Sequence, residues 1–211
     1  SIVLLGTLVG SSTSIFAMES MAPPCPWDRA MKKAWLLRTT QQMMGVSLAA
    51  LKVAKMHGAR VAITSSSDEK LSVARELGAD ITINYKQSPD WSVELMKQTN
   101  NQGADIIVET GGQDTLGHSV NAAAVNARIV IIGVTPGNNS PIPNYISFIT
   151  KNITIKGIAN GSRAMFVNYI NALAANDSTA FISKTFDFDD APEAYRFQAA
   201  AKHIGKVLIK F

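Results

Sequence analysis

The order of elements along the chain predicts an α/β fold built on a doubly wound, Rossmann-type parallel sheet. Short apolar runs rich in β-branched residues alternate with amphipathic helical segments from Gly45 onward. Several of these runs end in glycine, and the helix opened by Gly45 follows an early apolar run. Strands that alternate with helices in this way form parallel sheets covered on both faces. Such sheets bind ligands beyond the carboxyl ends of their strands.

Length and composition are sufficient for one full domain and part of a second. Of the 211 residues, 46% are hydrophobic and 17% are charged, so a sizeable core can form. The formal net charge is only +4, and the lysines and arginines are scattered without a basic run. This pattern argues against a nucleic-acid partner.

Cysteine usage and hydropathy predict a cytoplasmic protein without a membrane segment. Cys25 is the only cysteine, so the sequence offers no disulfide framework, and a reducing compartment is favoured. No apolar run reaches the length needed to span a bilayer. We therefore expect no membrane partner.

The first predicted strand is the apolar run at residues 1–7, which ends in Gly6-Thr7. The helix expected to follow this strand begins only at Gly45. Residues 8–44 are therefore interpreted as an intervening segment, irregular over most of its length, with a short helix expected over 35–44. Joined across this segment, the strand, the glycine turn and the helix form the unit that binds the pyrophosphate of a dinucleotide.

The later elements follow the same alternation of strand and helix. On this basis residues 1–182 are expected to form a dinucleotide-binding domain, followed by a C-terminal segment at residues 183–211. Strands are expected at 60–64, 80–85, 104–109, 128–133, 153–158, 181–188 and 206–211, and helices at 45–55, 68–77, 91–99, 115–125, 163–175 and 191–201.

Eight short stretches, in the same order along the chain, make the sequence similar to the medium-chain dehydrogenase/reductase superfamily. The similarity covers residues 45–211 and is closest to the cofactor-binding domain of the zinc-type alcohol dehydrogenase and quinone oxidoreductase branch. The stretches are GVS at 45–47, TSSSDEKL at 64–71, LGAD at 77–80, INY at 83–85, VETGG at 108–112, IIGV at 131–134, GSRAMF at 161–166 and GKV at 205–207.

The resemblance implies where the cofactor pyrophosphate binds. In this superfamily the first turn reads Gly-x-Gly-Gly-Val; Gly6 and Thr7 match its start, and Gly45 and Val46 match its end. The middle glycine is absent, and the intervening segment stands in its place. Backbone N–H groups at a helix N-terminus bind phosphate, so these four residues are expected to line that site.

The end of the second strand predicts which cofactor is used. An NAD site usually places Asp or Glu there to accept hydrogen bonds from the ribose hydroxyls. This chain has Ser65 and Ser66 instead, with Lys70 close behind them. Hydroxyls and a lysine suit a 2′-phosphate, so NADP(H) is favoured over NAD(H). The alternative is that Ser65, Ser66 and Ser67 only cap the next helix, which is compatible with phosphate binding.

The resemblance also implies which residues face the rest of the cofactor. Tyr85 would lie near the adenosine end, and the small residues that end the two central strands would let the nicotinamide ring approach the backbone. Lys206 would face the cofactor cleft. The alternatives are an aromatic side chain that covers the core for Tyr85, ordinary strand-to-helix turns for the small residues, and a solvated side chain for the lysine. The residues concerned are Tyr85, Thr110, Gly111, Gly133, Val134 and Lys206.

Catalytic and metal-binding residues are not found. Members of the superfamily usually carry an N-terminal, GroES-like catalytic domain, which we expect to be missing from this sequence. The resemblance implies that residues 183–211 are the C-terminal return that would pair with that domain. His57, His118 and His203 have no metal-ligand spacing, so no zinc is expected in this chain. A small-molecule substrate would bind only together with the missing domain. The final strands would then leave an exposed apolar edge that favours homo-oligomers.

Three functional interpretations therefore remain open. The resemblance implies an oxidoreductase that transfers hydride between NADP(H) and an alcohol, carbonyl, enone or quinone, with the cofactor carrying the chemistry. The alternative is a non-catalytic, truncated nucleotide-binding fold with impaired cofactor binding. A different Rossmann-type enzyme, such as a methyltransferase, is disfavoured by the stretches at 161–163 and 205–207.

Overall fold

The computed structural model describes residues 2–5, 34–38, 44–133, 143–200 and 203–211. These residues fall into two compact units. The sheet unit holds residues 34–38, 50–133 and 143–158, and the tail unit holds residues 2–5, 44–49, 159–200 and 203–211.

Nine strands and seven α-helices are found among the described residues. The strands are β1 (Ile2–Leu5), β2 (Ala34–Arg38), β3 (Arg60–Ser65), β4 (Ile81–Asn84), β5 (Ala104–Glu109), β6 (Ala123–Ile131), β7 (Thr154–Gly157), β8 (Ile182–Asp187) and β9 (Lys206–Lys210). The helices are α1 (Met44–Met56), α2 (Asp68–Glu76), α3 (Trp91–Gln98), α4 (Leu116–Ala122), α5 (Tyr145–Thr150), α6 (Arg163–Ala175) and α7 (Ala191–Ala199).

The sheet unit is built on six parallel strands in the order β4-β3-β2-β5-β6-β7. From β2 the chain first adds strands on one side and then, from β5, on the other. This reversal is the topological switch point of a doubly wound Rossmann sheet. The predicted fold class is therefore confirmed.

The identity of the central strand differs from the prediction. β2 lies between β3 and β5, with Leu36 level with Ala62 on one side and Ile107 on the other. β1 instead pairs antiparallel with β9, with Leu5 opposite Val207. The prediction that the opening run is the first strand of the Rossmann sheet is therefore wrong.

The physical reason is the length of the connection into α1. Five positions in the sequence separate the end of β2 from the start of α1, and such a short separation is ordinary for a strand followed by a helix. The short helix expected over 35–44 is also wrong, because residues 34–38 form a strand and α1 begins at Met44. The rest of the supposed intervening segment lies outside the described residues.

The core of the sheet unit lies where α3 and α4 cover the sheet. Ile107 and Ile129 are almost fully buried on neighbouring strands, and Trp91, Leu95 and Val120 pack in the same cluster. Burying an aliphatic side chain of this size contributes about 1.5–3 kcal/mol. These contacts fix β5 and β6, whose carboxyl ends carry several of the predicted site residues.

The tail unit has its own small sheet in the order β1-β9-β8. β8 and β9 are parallel, and α7 covers them. Phe186, Ala194, Val207 and Ile209 form its buried cluster. The predicted division at residues 182 and 183 stays a prediction.

Candidate functional site

The turn after β3 is organised by its own serine side chains. Ser65 Oγ accepts a hydrogen bond from the Ser67 backbone N–H at 3.3 Å, and Ser67 Oγ accepts one from the Lys70 N–H at 3.4 Å. Ser67 is the N-cap of α2. The capping alternative considered for these serines is therefore correct for Ser67, and it leaves the hydroxyls of Ser65 and Ser66 beside the same turn.

Lys70 lies in the first turn of α2 with only 8% of its surface exposed. Among the residues that the structure describes, no hydrogen-bond partner is found for its Nζ atom. Burying an ammonium group without a partner is costly in free energy. An anion bound at this turn would supply the missing partner, so the residues present fit a phosphate group.

The end of β4 lies beside this turn. Ser65 is level with Asn84 across the β3–β4 pair, and the Tyr85 N–H donates to the Ser65 carbonyl at 3.1 Å. Asn84 Nδ2 donates to Asp68 Oδ1 at 2.8 Å, and Gln87 Nε2 donates to Asp68 Oδ2 at 3.1 Å. Asn84, Asp68 and Gln87 were not among the predicted site residues, because contacts made through the pairing of two strands leave no local pattern in the sequence.

A buried carboxylate organises the ends of β5 and β6. Glu109 is 1% exposed, and its Oε1 accepts hydrogen bonds at 2.7 Å from the Gly111 N–H and from Thr115 Oγ1. Ser119 Oγ donates to its Oε2. The Glu109 carbonyl also accepts from the Gly133 N–H at 3.2 Å. An acidic residue that ends an otherwise apolar strand was the signal that could have identified it.

Gly133 and Thr110 are in unusually close contact at these strand ends. A Cβ atom placed on Gly133 would lie 1.9 Å from the Thr110 carbonyl oxygen. Only a residue without a side chain permits this approach. The two predicted positions, with Gly111, therefore lie together at the carboxyl ends of neighbouring strands.

The tail unit brings Gly45 and Lys206 together. A Cβ atom on Gly45 would lie 3.2 Å from both Cε and Nζ of Lys206. Burial lowers the pKa of the Lys206 ammonium below its ordinary value of 10.5. The first turn of α1 holds no acidic residue, and Val46 and Ser47 are fully buried there. A positive helix end beside a lysine favours an anion.

The predicted site residues that the structure describes lie in three groups, and their role stays a prediction. Ser65, Ser66, Lys70 and Tyr85 lie at the ends of β3 and β4, Thr110, Gly111 and Gly133 at the ends of β5 and β6, and Gly45, Val46 and Lys206 in the tail unit. Gly6, Thr7 and Val134 lie outside the described residues.

The described residues contain no group of three or more His, Cys, Asp or Glu side chains that could hold a metal ion. In that same part of the chain, no helix is long and apolar enough to cross a membrane.

Comparison with known proteins identifies the family. The zinc-binding dehydrogenase family matches residues 45–175. A zinc-type alcohol dehydrogenase-like protein of Schizosaccharomyces pombe is 41% identical over 170 residues, which cover 79% of this chain and 49% of that protein. The chain belongs to this family, within the medium-chain dehydrogenase/reductase superfamily, and contains the nucleotide-binding domain of an oxidoreductase.

Solved structures agree with this assignment. A protein assigned as an alcohol dehydrogenase of Sinorhizobium meliloti 1021 superposes with a TM-score of 0.79 at 32% identity, over 94% of this chain and 55% of that one. An NAD-dependent alcohol dehydrogenase superposes with a TM-score of 0.73 at 28% identity, over 85% of this chain and 51% of that one. The chain spans about half the length of these relatives.

Proposed function

We propose that this chain binds NADP(H) and is the cofactor-binding part of an oxidoreductase that transfers hydride to or from an alcohol, carbonyl, enone or quinone. The observation that carries the proposal is the buried ammonium of Lys70, which has no hydrogen-bond partner among the described residues. Lys70 lies in the first turn of α2, and Ser65 and Ser66 lie where the chain passes from the end of β3 to that helix. A 2′-phosphate is the anion that a dinucleotide offers at this position.

In this proposal each group of site residues meets a different part of the cofactor. Ser65 and Ser66 donate hydroxyl hydrogen bonds to the 2′-phosphate, whose charge Lys70 balances. Tyr85, half-buried at the end of β4, lies on the adenosine side. Gly45, with the next residue Val46, presents backbone N–H groups to the pyrophosphate.

Lys206 adds positive charge for the same pyrophosphate. Its side chain lies against Gly45, and burial lowers the pKa of its ammonium, so an added anion is favourable there. Gly6 and Thr7 are left out of this proposal. Their role depended on the opening strand being central, and that strand pairs with β9.

The nicotinamide half would meet Thr110, Gly111, Gly133 and Val134. The bound cofactor supplies the hydride chemistry, and the chain contributes position and shape. Glu109 holds Gly111 in place through its backbone N–H and thereby orders this surface. No residue of this chain is proposed as a catalytic group.

The substrate and partner assignments are coarser. We propose that the substrate binds only together with the further half that longer relatives possess, and that the protein is a cytoplasmic homo-oligomer. No zinc ligands are assigned, because His57, His118 and His203 lack metal-ligand spacing.

The test is calorimetric titration with NADPH, NADH and 2′,5′-ADP. We expect NADPH to bind at least about tenfold more tightly than NADH, a difference of about 1.4 kcal/mol. Lys70→Met should weaken the binding of NADPH and of 2′,5′-ADP by about tenfold and leave the affinity for NADH unchanged. It should also raise the melting temperature, because it removes a buried charge that has no partner among the described residues.

The matched control is Lys97→Met, which removes an exposed lysine from α3. It should alter neither the affinities nor their ratio. Equal affinities for NADPH and NADH in the parent chain would overturn the NADP(H) assignment. If none of the three ligands binds to the parent chain, the proposed cofactor-binding function itself is overturned.

A further inference from the structure

We propose that Asn84 and Gln87 are specificity-determining residues that fix the Asp68 carboxylate at the end of β4 and so limit its repulsion of a phosphate bound beside Lys70. The inference rests on the proposed function, because it assigns a role to residues beside the 2′-phosphate turn. It explains how an acidic residue can stand inside that turn without removing the preference for a phosphorylated cofactor.

Asp68 is the first residue of α2, two positions before Lys70. Side chains two positions apart do not face each other on a helix, so helix geometry alone keeps this carboxylate from pairing with the Lys70 ammonium. A carboxylate that is free to move in this turn could still repel a bound phosphate. Among the described residues, neither a hydrogen bond nor an ion pair joins Asp68 to Lys70. Its two oxygens instead accept hydrogen bonds from Asn84 at 2.8 Å and from Gln87 at 3.1 Å.

The strand register places these two amides where they can act. Ser65 and Asn84 are level in the β3–β4 pair, so the turns that follow the two strands run side by side. The Lys86 N–H donates to Asn84 Oδ1 at 3.0 Å, which fixes the orientation of the amide and leaves Nδ2 for Asp68. The Gln87 N–H donates to the Asn84 carbonyl at 3.1 Å and holds the second amide in the same turn.

The two amides are neutral, and this determines their effect. A lysine or arginine partner would cancel the charge of Asp68 but would also add a second cation to the turn. Two amide donors satisfy both carboxylate oxygens and leave Lys70 as the cation of that turn. A carboxylate in the first turn stabilises α2, which explains why Asp68 is tolerated there. It does not explain why both Asp68 oxygens accept hydrogen bonds from Asn84, the last residue of β4, and from Gln87 in the turn that follows.

The experiment compares Gln87→Met, the double variant Asn84→Ala/Gln87→Met, and the same double variant with Asp68→Asn added. NADPH and NADH affinities are measured by titration at low and high salt. At low salt we expect the double variant to bind NADPH about tenfold more weakly than the parent chain, with its affinity for NADH unchanged. Gln87→Met should lose less of the affinity for NADPH. Adding Asp68→Asn should restore NADPH affinity to within about twofold, and high salt should narrow the loss.

The restoring variant separates charge from structure. If Asp68→Asn does not restore NADPH binding, the loss comes from a loosened turn, and the inference is overturned. A double variant that keeps the parent preference for NADPH also overturns it, while the proposed function stands. If the parent chain itself has no such preference, the proposed function has failed first. Gln87→Met keeps Asn84 and its turn intact, so it supplies the folded reference.

Discussion

At Gly133 two strand ends come so close together that the backbone itself occupies the space for a side chain. The Ile132 and Gly133 N–H groups both donate to the Glu109 carbonyl, at 2.9 and 3.2 Å. A Cβ atom on Gly133 would lie within 2.4 Å of both the carbonyl oxygen and the carbonyl carbon of Thr110. Both neighbouring atoms belong to the backbone, so no side-chain rotation can relieve the overlap.

Gly133→Ala is therefore expected to destabilise the fold by about 1–3 kcal/mol or more, since overpacking forces the backbone to move. The matched control is Gly157→Ala at the edge strand β7, where a Cβ atom would meet nothing within 4 Å. The free energy of unfolding of Gly157→Ala should differ from that of the parent by no more than about 0.5 kcal/mol, in either direction. Urea unfolding measures both. Equal effects of the two substitutions would show that the close approach at Gly133 is absent.

Individual site residues differ in how readily the sequence revealed them. Ser65, Ser66 and Lys70 follow an apolar strand within six positions, so a local pattern was sufficient to select them. The bond between Asn84 and Asp68 joins residues 16 positions apart through a strand pairing. Because only the sheet register creates that contact, sequence reasoning could not find it.

The elements show the same contrast between local and distant information. β3 and β5 were predicted close to their observed positions, because each is an apolar run followed by a turn. β6 was predicted to begin at residue 128 but begins at Ala123, so residues 123–125 are strand and not the end of a helix as expected. β2 was missed, because the residues that follow it are Thr39-Thr40-Gln41 and not a glycine turn. The expected glycine signal led to the opening run, which has the right composition but pairs with β9.

The start of β9 and the first turn of α1 carry the expected pH dependence of cofactor binding. Burial lowers the pKa of Lys206 below 10.5 in the free chain. A bound pyrophosphate stabilises the ammonium and raises this pKa, so binding takes up a proton between the two values. Affinity should be highest below the pKa of the free chain and fall as pH rises through that window.

Titration of ADP-ribose from about pH 7 to pH 10 measures this slope without the 2′-phosphate. Lys206→Met should bind more weakly at neutral pH and lose the decline, whereas Lys206→Arg should keep the affinity and lose the decline, because arginine stays charged. A parent chain whose slope matches that of Lys206→Met would show that Lys206 does not meet the pyrophosphate.

At the scale of the whole chain, the two units draw on segments that are far apart in sequence. The tail unit combines residues 2–5 and 44–49 with residues from 159 onward. The sheet unit takes its central strand from Ala34–Arg38 and its remaining strands from residues after 59. A segment that looks like an insertion in the linear sequence therefore contains the strand on which both halves of the sheet depend.

Removal of residues 8–44, with one glycine in their place, is accordingly expected to abolish cooperative folding. β3 and β5 would lose the partner that joins them, leaving two fragments of sheet with exposed apolar edges. The matched control is a chain that begins at residue 31, which loses the edge strand β1 and keeps β2 and every later element that the structure describes. It should retain a cooperative thermal transition and an ordered near-ultraviolet circular dichroism spectrum, and the first variant should show neither. Cooperative unfolding of the first variant at the parent temperature would instead place the opening run at the centre of the sheet.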